Sequence, residues 1–228
     1  MKELVVIKVI LFDLDGTLID SERYYCEGTY EWIKRFGFKG KLEDVYAIIG
    51  TTMQETCRII SELIDHKLNP EEVYAYNAEF FAKEKPLVCN DYIFKEVKGV
   101  IEMLSAKGYR MAICSSSTVE EVEKAINELG FAEYIEAIYS SHDCLHGKPH
   151  PEVYLKALEH FGVSDNEAIV VEDSYSGIMA AKNAKIYTVA RKDYRFNIDQ
   201  SNADVCIDGL DELYEVIKEI NYGRCNRN

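Results

Sequence analysis

Apolar positions along the chain fall into three regimes. Residues 4–12 form an apolar run broken only by Lys8 and lacking helical periodicity, which predicts a strand buried on both faces of a parallel sheet. Between about residues 21 and 85 no strand is convincing. Apolar residues there recur at helical spacing over 22–36, 42–49, 53–66 and 70–83, the last with Asn69 as cap and Pro70 in its first turn. From about residue 90, helical stretches alternate with short apolar runs at 109–114, 135–139, 168–171, 186–189 and 205–207. That alternation predicts an α/β fold with a doubly wound, Rossmann-like parallel sheet.

The opening strand can join this sheet only if the helical stretch is an insert. The predicted organisation is a discontinuous α/β core, 1–20 and 88–228, interrupted by a small α-helical cap domain, 21–87. The hinges fall near 19–21 and 85–90, where Pro86 resists continuation of the preceding helix.

Composition narrows the class. A formal charge of −14 argues against general binding to nucleic acid or to an anionic membrane, since either needs a clustered basic surface. Seven scattered cysteines, never spaced Cys-x-x-Cys, argue against a disulfide framework and a zinc cluster. There is no signal-peptide pattern and no apolar run near the ~20 residues that span a bilayer. A cytoplasmic, monomeric protein is expected, and the polar tail 221–228 is expected to carry no function.

In doubly wound sheets ligands sit beyond the carboxyl ends of the strands, and here those ends are strongly polar. The first strand ends in Asp13-Leu14-Asp15-Gly16. Read as turn punctuation, this needs no chemistry. Read as converging carboxylates, it calls for a hard divalent cation such as Mg²⁺ to relieve like-charge repulsion. After 111–114 come Ser115-Ser116-Ser117-Thr118, hydroxyls at a helix start that suit phosphate, one of the last two also serving as helix cap. Lys148 sits between Gly147 and Pro149-His150-Pro151, a rigid setting for an ammonium that could neutralise a phosphoryl oxygen and a carboxylate together; His150 is read as structural. Glu172-Asp173 ends a further strand, and with Asp13 and the Asp15 backbone carbonyl it would complete an oxygen-rich metal shell.

Asp13-Leu14-Asp15-Gly16-Thr17, Ser115, Lys148 and Glu172-Asp173 together resemble the four motifs of the haloacid dehalogenase superfamily, and the likeness covers essentially the whole chain. Residues 147–152 and 171–178 make it most similar to the β-phosphoglucomutase-type branch of sugar-phosphate phosphatases and mutases. The resemblance implies Asp13 as nucleophile, forming an aspartyl phosphate, and Asp15 as acid and base. It implies Mg²⁺ on Asp13, the Asp15 carbonyl, Asp173 and Glu172, with Ser115, the Ser116 N–H and Lys148 on the phosphoryl oxygens.

The expected activity is Mg²⁺-dependent hydrolysis of a small phosphorylated metabolite, a sugar phosphate in the first instance. The alternatives are a phosphomutase and, from another class, a regulatory protein that binds a phosphometabolite without turning it over. Mutases of this branch present a histidine after the first motif and an arginine in a later cap loop that grips a second phosphate. Tyr25 and Met53 stand at those places here, which favours the phosphatase, with Arg23 and Arg58 as cations that could substitute. In the cap, Tyr24, Tyr25, Trp32 and Met53 read more readily as packing than as substrate contacts. Thr51 and Thr52, following Gly50 in a loop, are the better candidates for substrate binding.

Overall fold

A computed structural model describes residues 6–225, with no account of the side chains of 224 and 225. The predicted start of the first strand at Leu4 and Val5, and the tail residues 226–228, lie outside the described residues.

Six strands form one parallel sheet: β1 (Val9–Phe12), β2 (Arg110–Ser115), β3 (Ala137–Ser140), β4 (Ala168–Glu172), β5 (Tyr187–Arg191) and β6 (Val205–Ile207). Their spatial order is β3-β2-β1-β4-β5-β6, every neighbouring pair running parallel. This is the doubly wound architecture expected from the alternating pattern. The first strand starts later than its apolar run suggests, at Val9. Residues 7 and 8 lie outside the regular ladder, with the Ile7 N–H donating to the Asn221 side chain and the Lys8 N–H to the Glu167 carbonyl.

The chain divides into two compact units, Met1–Ile19 with Ile93–Asn228, and Asp20–Tyr92. In the first unit, β1 and β4 are buried at every position, as strands covered on both faces must be. Val9, Leu11, Ala112, Cys114 and Val170 share a core cluster with Val153, Tyr154, Ala157 and Ala181. The intervening residues Ile10, Phe12, Ile113 and Val171 point by alternation to the other face and are equally buried.

The second unit is helical throughout: α1 (Ser21–Ile33), α2 (Met53–Leu63), α3 (Pro70–Lys83) and the short α4 (Cys89–Tyr92). Trp32, Ile33, Val45, Ile60, Ile64, Val73 and Phe80 form its own core. Asn69 and Glu72 make a capping box at the start of α3, whose limits match the expected ones. The stretch expected to be helical over 42–49 winds more tightly, as a 3₁₀ helix over Leu42–Ile48. The helix expected to reach residue 66 stops at Leu63, because Asp65 and His66 adopt positive φ of 54° and 56°. In the first unit the α-helices are α5 (Val97–Ala106), α6 (Val119–Leu129), α7 (Glu152–Phe161), α8 (Tyr175–Asn183) and α9 (Leu213–Cys225). Among the described residues no helix is long and apolar enough to cross a membrane.

Candidate active site

The strand order makes β1 the switch point: the sheet continues through β2 on one side and β4 on the other, and the crevice beyond the carboxyl end of such a strand is where ligands bind. Register does the rest. Phe12 pairs with Ile113 and with Val171, so the next residues, Asp13, Cys114 and Glu172, arrive at one level.

Lys148 ties that level together. Its side chain is 3% exposed, and its ammonium donates to Asp13 Oδ1 at 2.6 Å, Glu172 Oε1 at 2.6 Å and the Cys114 carbonyl at 2.9 Å. The loop that presents it is held on both sides. Glu152 accepts the Leu145 and His146 N–H groups, and the Asn183 amide donates to the Pro149 carbonyl. His150 is exposed, its ring tilted at 56° against that of His146 with centroids 4.7 Å apart.

Charge at this site is finely opposed. Burial pushes the Asp13 carboxyl up to about 8, with Lys148 pulling it down and Glu172 and Asp15 adding to the rise. Burial also works against the Lys148 ammonium, but Asp13 and Glu172 outweigh it and hold its pKa well above the ordinary value. An ionised Asp13 therefore calls for more positive charge than one lysine supplies. Asp13, Glu172 and Asp173 each offer an oxygen, all within 4.8 Å of one another and all buried, and a set of carboxylates without histidine or thiolate fits a hard ion such as Mg²⁺.

Glu172 is heavily engaged. Oε1 accepts from Lys148 and from the Tyr154 hydroxyl at 3.1 Å, and Oε2 from the Asp173 and Ser174 N–H groups and the Ser174 hydroxyl, each at 3.0 Å. Burial and the neighbouring Glu172 push the Tyr154 phenol well up, so its O–H stays a donor. Ser174 in turn caps α8 by accepting from the Gly177 N–H, and a Cβ on Gly177 would lie 1.6 Å from Glu172 Oε1.

Asp173 is held by Thr17, whose hydroxyl donates to Oδ1 at 3.2 Å, and its carbonyl accepts from the Gln200 amide at 2.6 Å. Gly16 has φ +78°, and a Cβ there would sit 2.1 Å from Asp173 Oδ2. Gly16→Ala combines left-handed strain with that clash. It is expected to destabilise the protein by about 1–3 kcal/mol and to abolish any Mg²⁺-dependent rise in Tm, both read from thermal unfolding with and without the ion.

The hydroxyl cluster divides its tasks. Ser115 is fully buried at the end of β2 and its Oγ accepts the Ser117 N–H at 3.0 Å. Ser116 is exposed. Thr118 caps α6 in a capping box with Glu121, and Ser117 donates its hydroxyl to Asp15 Oδ2 at 2.8 Å. The cap was expected of either Ser117 or Thr118, and it falls to Thr118.

Thr51 and Thr52 belong to the helical unit, where Thr52 caps α2 and Thr51 donates to the Ile48 carbonyl and shares a 2.7 Å hydrogen bond with Thr56. Tyr24, Trp32 and Tyr25 are bound into packing of that unit: Tyr24 and Trp32 are buried, while Tyr25 is 47% exposed with its ring against Phe81. Reading the sequence did not single out Thr17, Ser117, Tyr154 or Gln200 as individual contributors. For Tyr154 a signal existed: a tyrosine on the buried face of an amphipathic helix needs a partner for its hydroxyl.

A family model described as haloacid dehalogenase-like hydrolase matches residues 10–191. A phosphorylated carbohydrates phosphatase of Thermotoga maritima is 28% identical over 220 residues, covering 93% of this chain and 99% of its own. Pyrophosphatase PpaX of Bacillus velezensis is 30% identical over 190 residues, covering 78% of this chain and 80% of its own. Among solved structures, the β-phosphoglucomutase of Clostridium difficile shares the fold, with a TM-score of 0.69 at 20% identity and coverage of 96% of this chain and 98% of its own. All four motif-bearing segments, from Asp13 to Asp173, fall inside the matched span, and the chain belongs to the haloacid dehalogenase-like hydrolase family.

Proposed function

We propose that the protein is a Mg²⁺-dependent phosphatase that hydrolyses a small phosphorylated carbohydrate through an aspartyl phosphate on Asp13. The observation that carries this reading is the meeting of Asp13, Lys148, Glu172 and Asp173 at the end of β1, with Asp15 on the same turn. In the first step an Asp13 oxygen attacks phosphorus, the ester P–O bond breaks, and Asp15 gives its proton to the departing alkoxide. In the second, Asp15 takes a proton from water as the water oxygen attacks phosphorus, and the Asp13–phosphorus bond breaks to release phosphate. Lys148 offsets charge on Asp13 and on the phosphoryl oxygens, which Ser115 and the Ser116 N–H help to hold. Asp13, Asp173 and the Asp15 carbonyl, with Glu172 assisting, would hold Mg²⁺, which when bound supplies charge neutralisation between carboxylate and phosphate.

The substrate class rests on two supports. The Thermotoga maritima relative, similar along nearly its whole length, is a phosphatase of phosphorylated carbohydrates. The helical unit also has a cavity of about 240 Å³ lined by Glu22, Tyr25, Thr29, Thr51, Thr56 and Asn77, among others, with no Lys or Arg among the described lining residues. Hydroxyls and an amide beside the apolar Ile48 and Met53 suit the hydroxyl edge and the C–H face of a carbohydrate, and Glu22 would repel a second phosphate. Thr51, and Thr52 beside it, are proposed as carbohydrate contacts. Neither candidate substitute cation is idle: Arg58 is paired with Glu55 and Glu62, while Arg23 donates to the Asp91 carbonyl and lies 4.7 Å from the Tyr92 ring centroid. This favours the phosphatase over a phosphomutase that must handle a bisphosphate. A monomeric enzyme of the cytoplasm is the setting we propose.

The test is phosphate release with Mg²⁺ across sugar monophosphates, pyrophosphate, and β-glucose 1-phosphate with and without glucose 1,6-bisphosphate. Free phosphate from sugar monophosphates, lost on adding EDTA, is expected. Bisphosphate-dependent conversion to glucose 6-phosphate with little phosphate lost would overturn the phosphatase in favour of the mutase, and binding without turnover would leave the regulatory protein.

A further inference from the structure

Ser117 occupies a position that local structure does not explain. The helix after β2 is capped by Thr118, so the Ser117 hydroxyl has no capping task. Its backbone is nevertheless clamped at both ends. The N–H donates to Ser115 Oγ at 3.0 Å, and the carbonyl accepts from Ser140 Oγ at 2.7 Å. Both partners are themselves buried at the ends of adjacent strands, β2 and β3, where Ser115 pairs in register with Ser140. The outcome of this arrangement is a hydroxyl aimed at Asp15, 2.8 Å from Oδ2 across 102 residues of sequence.

An ionised carboxylate only accepts hydrogen bonds, so Ser117 must be the donor. We propose that Ser117 is a positioning residue for the acid step, its hydrogen bond to Oδ2 fixing the orientation in which the Asp15 carboxyl meets the leaving-group oxygen. The inference rests on the reading of Asp15 as acid and base given above. The step it serves is balanced: the ester P–O bond breaks, the departing oxygen keeps the electron pair, and the proton on the Asp15 carboxyl passes to it, leaving Asp15 ionised to receive a proton from water later. Ser117 donates its hydrogen bond throughout and transfers no proton.

This role makes a demand that a packing role does not. A leaving group that is already a stable anion, such as p-nitrophenolate, needs no acid, whereas a sugar alkoxide does. Because kcat/KM covers only the steps up to departure of the leaving group, it isolates the acid step from the later hydrolysis. Ser117→Ala is expected to lower kcat/KM roughly tenfold or more for a sugar phosphate and less than about twofold for p-nitrophenyl phosphate, with Ser117→Thr restoring most of the sugar phosphate rate. An equal loss on both substrates would overturn the inference and assign Ser117 to holding the phosphoryl group or the fold. Unchanged rates on both would overturn it as well. Asp15→Asn run alongside separates the two levels: if it loses the sugar phosphate selectively and Ser117→Ala does not, only the role of Ser117 has failed. If Asp15→Asn itself shows no selectivity, the acid reading of Asp15 has failed first.

Discussion

Asp13→Asn is expected to lower kcat by about 10⁴-fold or more, the scale seen when a nucleophile is removed from a hydrolase. The fold should survive. Asn is nearly isosteric, and Lys148 keeps Glu172 and the Cys114 carbonyl as partners. The sign of the stability effect follows from the raised pKa of the carboxyl. Burial is the chief cause that pushes the folded Asp13 carboxyl up from 3.8 to about 8, so between those values the folded state binds more protons than the unfolded one. Stability contributed by this group is therefore lost as pH rises through that window. In EDTA, the Asn variant should gain in Tm relative to the wild type between about pH 5 and about pH 7.5, because it lacks the carboxyl that must take up a proton on folding there. Turnover close to wild type in this variant would falsify the assignment of the nucleophile.

Lys148→Ala is expected to act on both activity and stability. It leaves the carboxylates of Asp13 and Glu172, with side-chain exposures of 9% and 0%, without the ammonium between them. Removing one partner of a buried ion pair costs about 3–5 kcal/mol. For a chain of this size that is a fall in Tm of roughly 10 °C. Turnover should drop by about 10²–10³-fold, the scale for loss of one preorganised charge-stabilising group. Arginine should not rescue it, since a planar fork cannot reproduce three contacts converging on one nitrogen. A double variant, Lys148→Ala with Glu172→Gln, removes one of the stranded charges and should recover part of the lost Tm. If the two substitutions simply add, the ion pair is not coupled and the argument for Lys148 as the tie between β1 and β4 fails.

Much of the site was readable in the sequence because it sits where strands end. An apolar run that stops at Asp13, another at Ser115 and another at Glu172 mark the carboxyl edge of a sheet without knowledge of the sheet. The boundaries of α3 were equally readable, since Asn69, Pro70 and Glu72 act within four residues of one another. Contributors that act across the sequence were not. The Ser117 hydroxyl reaches Asp15, Thr17 reaches Asp173 over 156 residues, and Gln200 reaches the Asp173 carbonyl over 27. A serine that supports a distant carboxyl has the same local pattern as one that caps a helix. The 3₁₀ winding of Leu42–Ile48 was hidden for a different reason: its burial of Val45 and Ile48 satisfies helical spacing as well as an α-helix would.

What the sequence by itself determined is the kind of fold and the chemistry at its edge, because runs apolar on both faces can be buried only in a covered parallel sheet, and carboxylates, hydroxyls and a lysine cannot follow them inside. Only the tertiary structure decided that these groups meet. The order β2-β1-β4 sets Asp13 between the ends of two strands that lie about a hundred and more residues away, and the register of Phe12 with Ile113 and Val171 brings Asp13, Cys114 and Glu172 level. A shift of one residue in either pairing would turn every side chain of the shifted strand to the opposite face and take the partners of Lys148 apart.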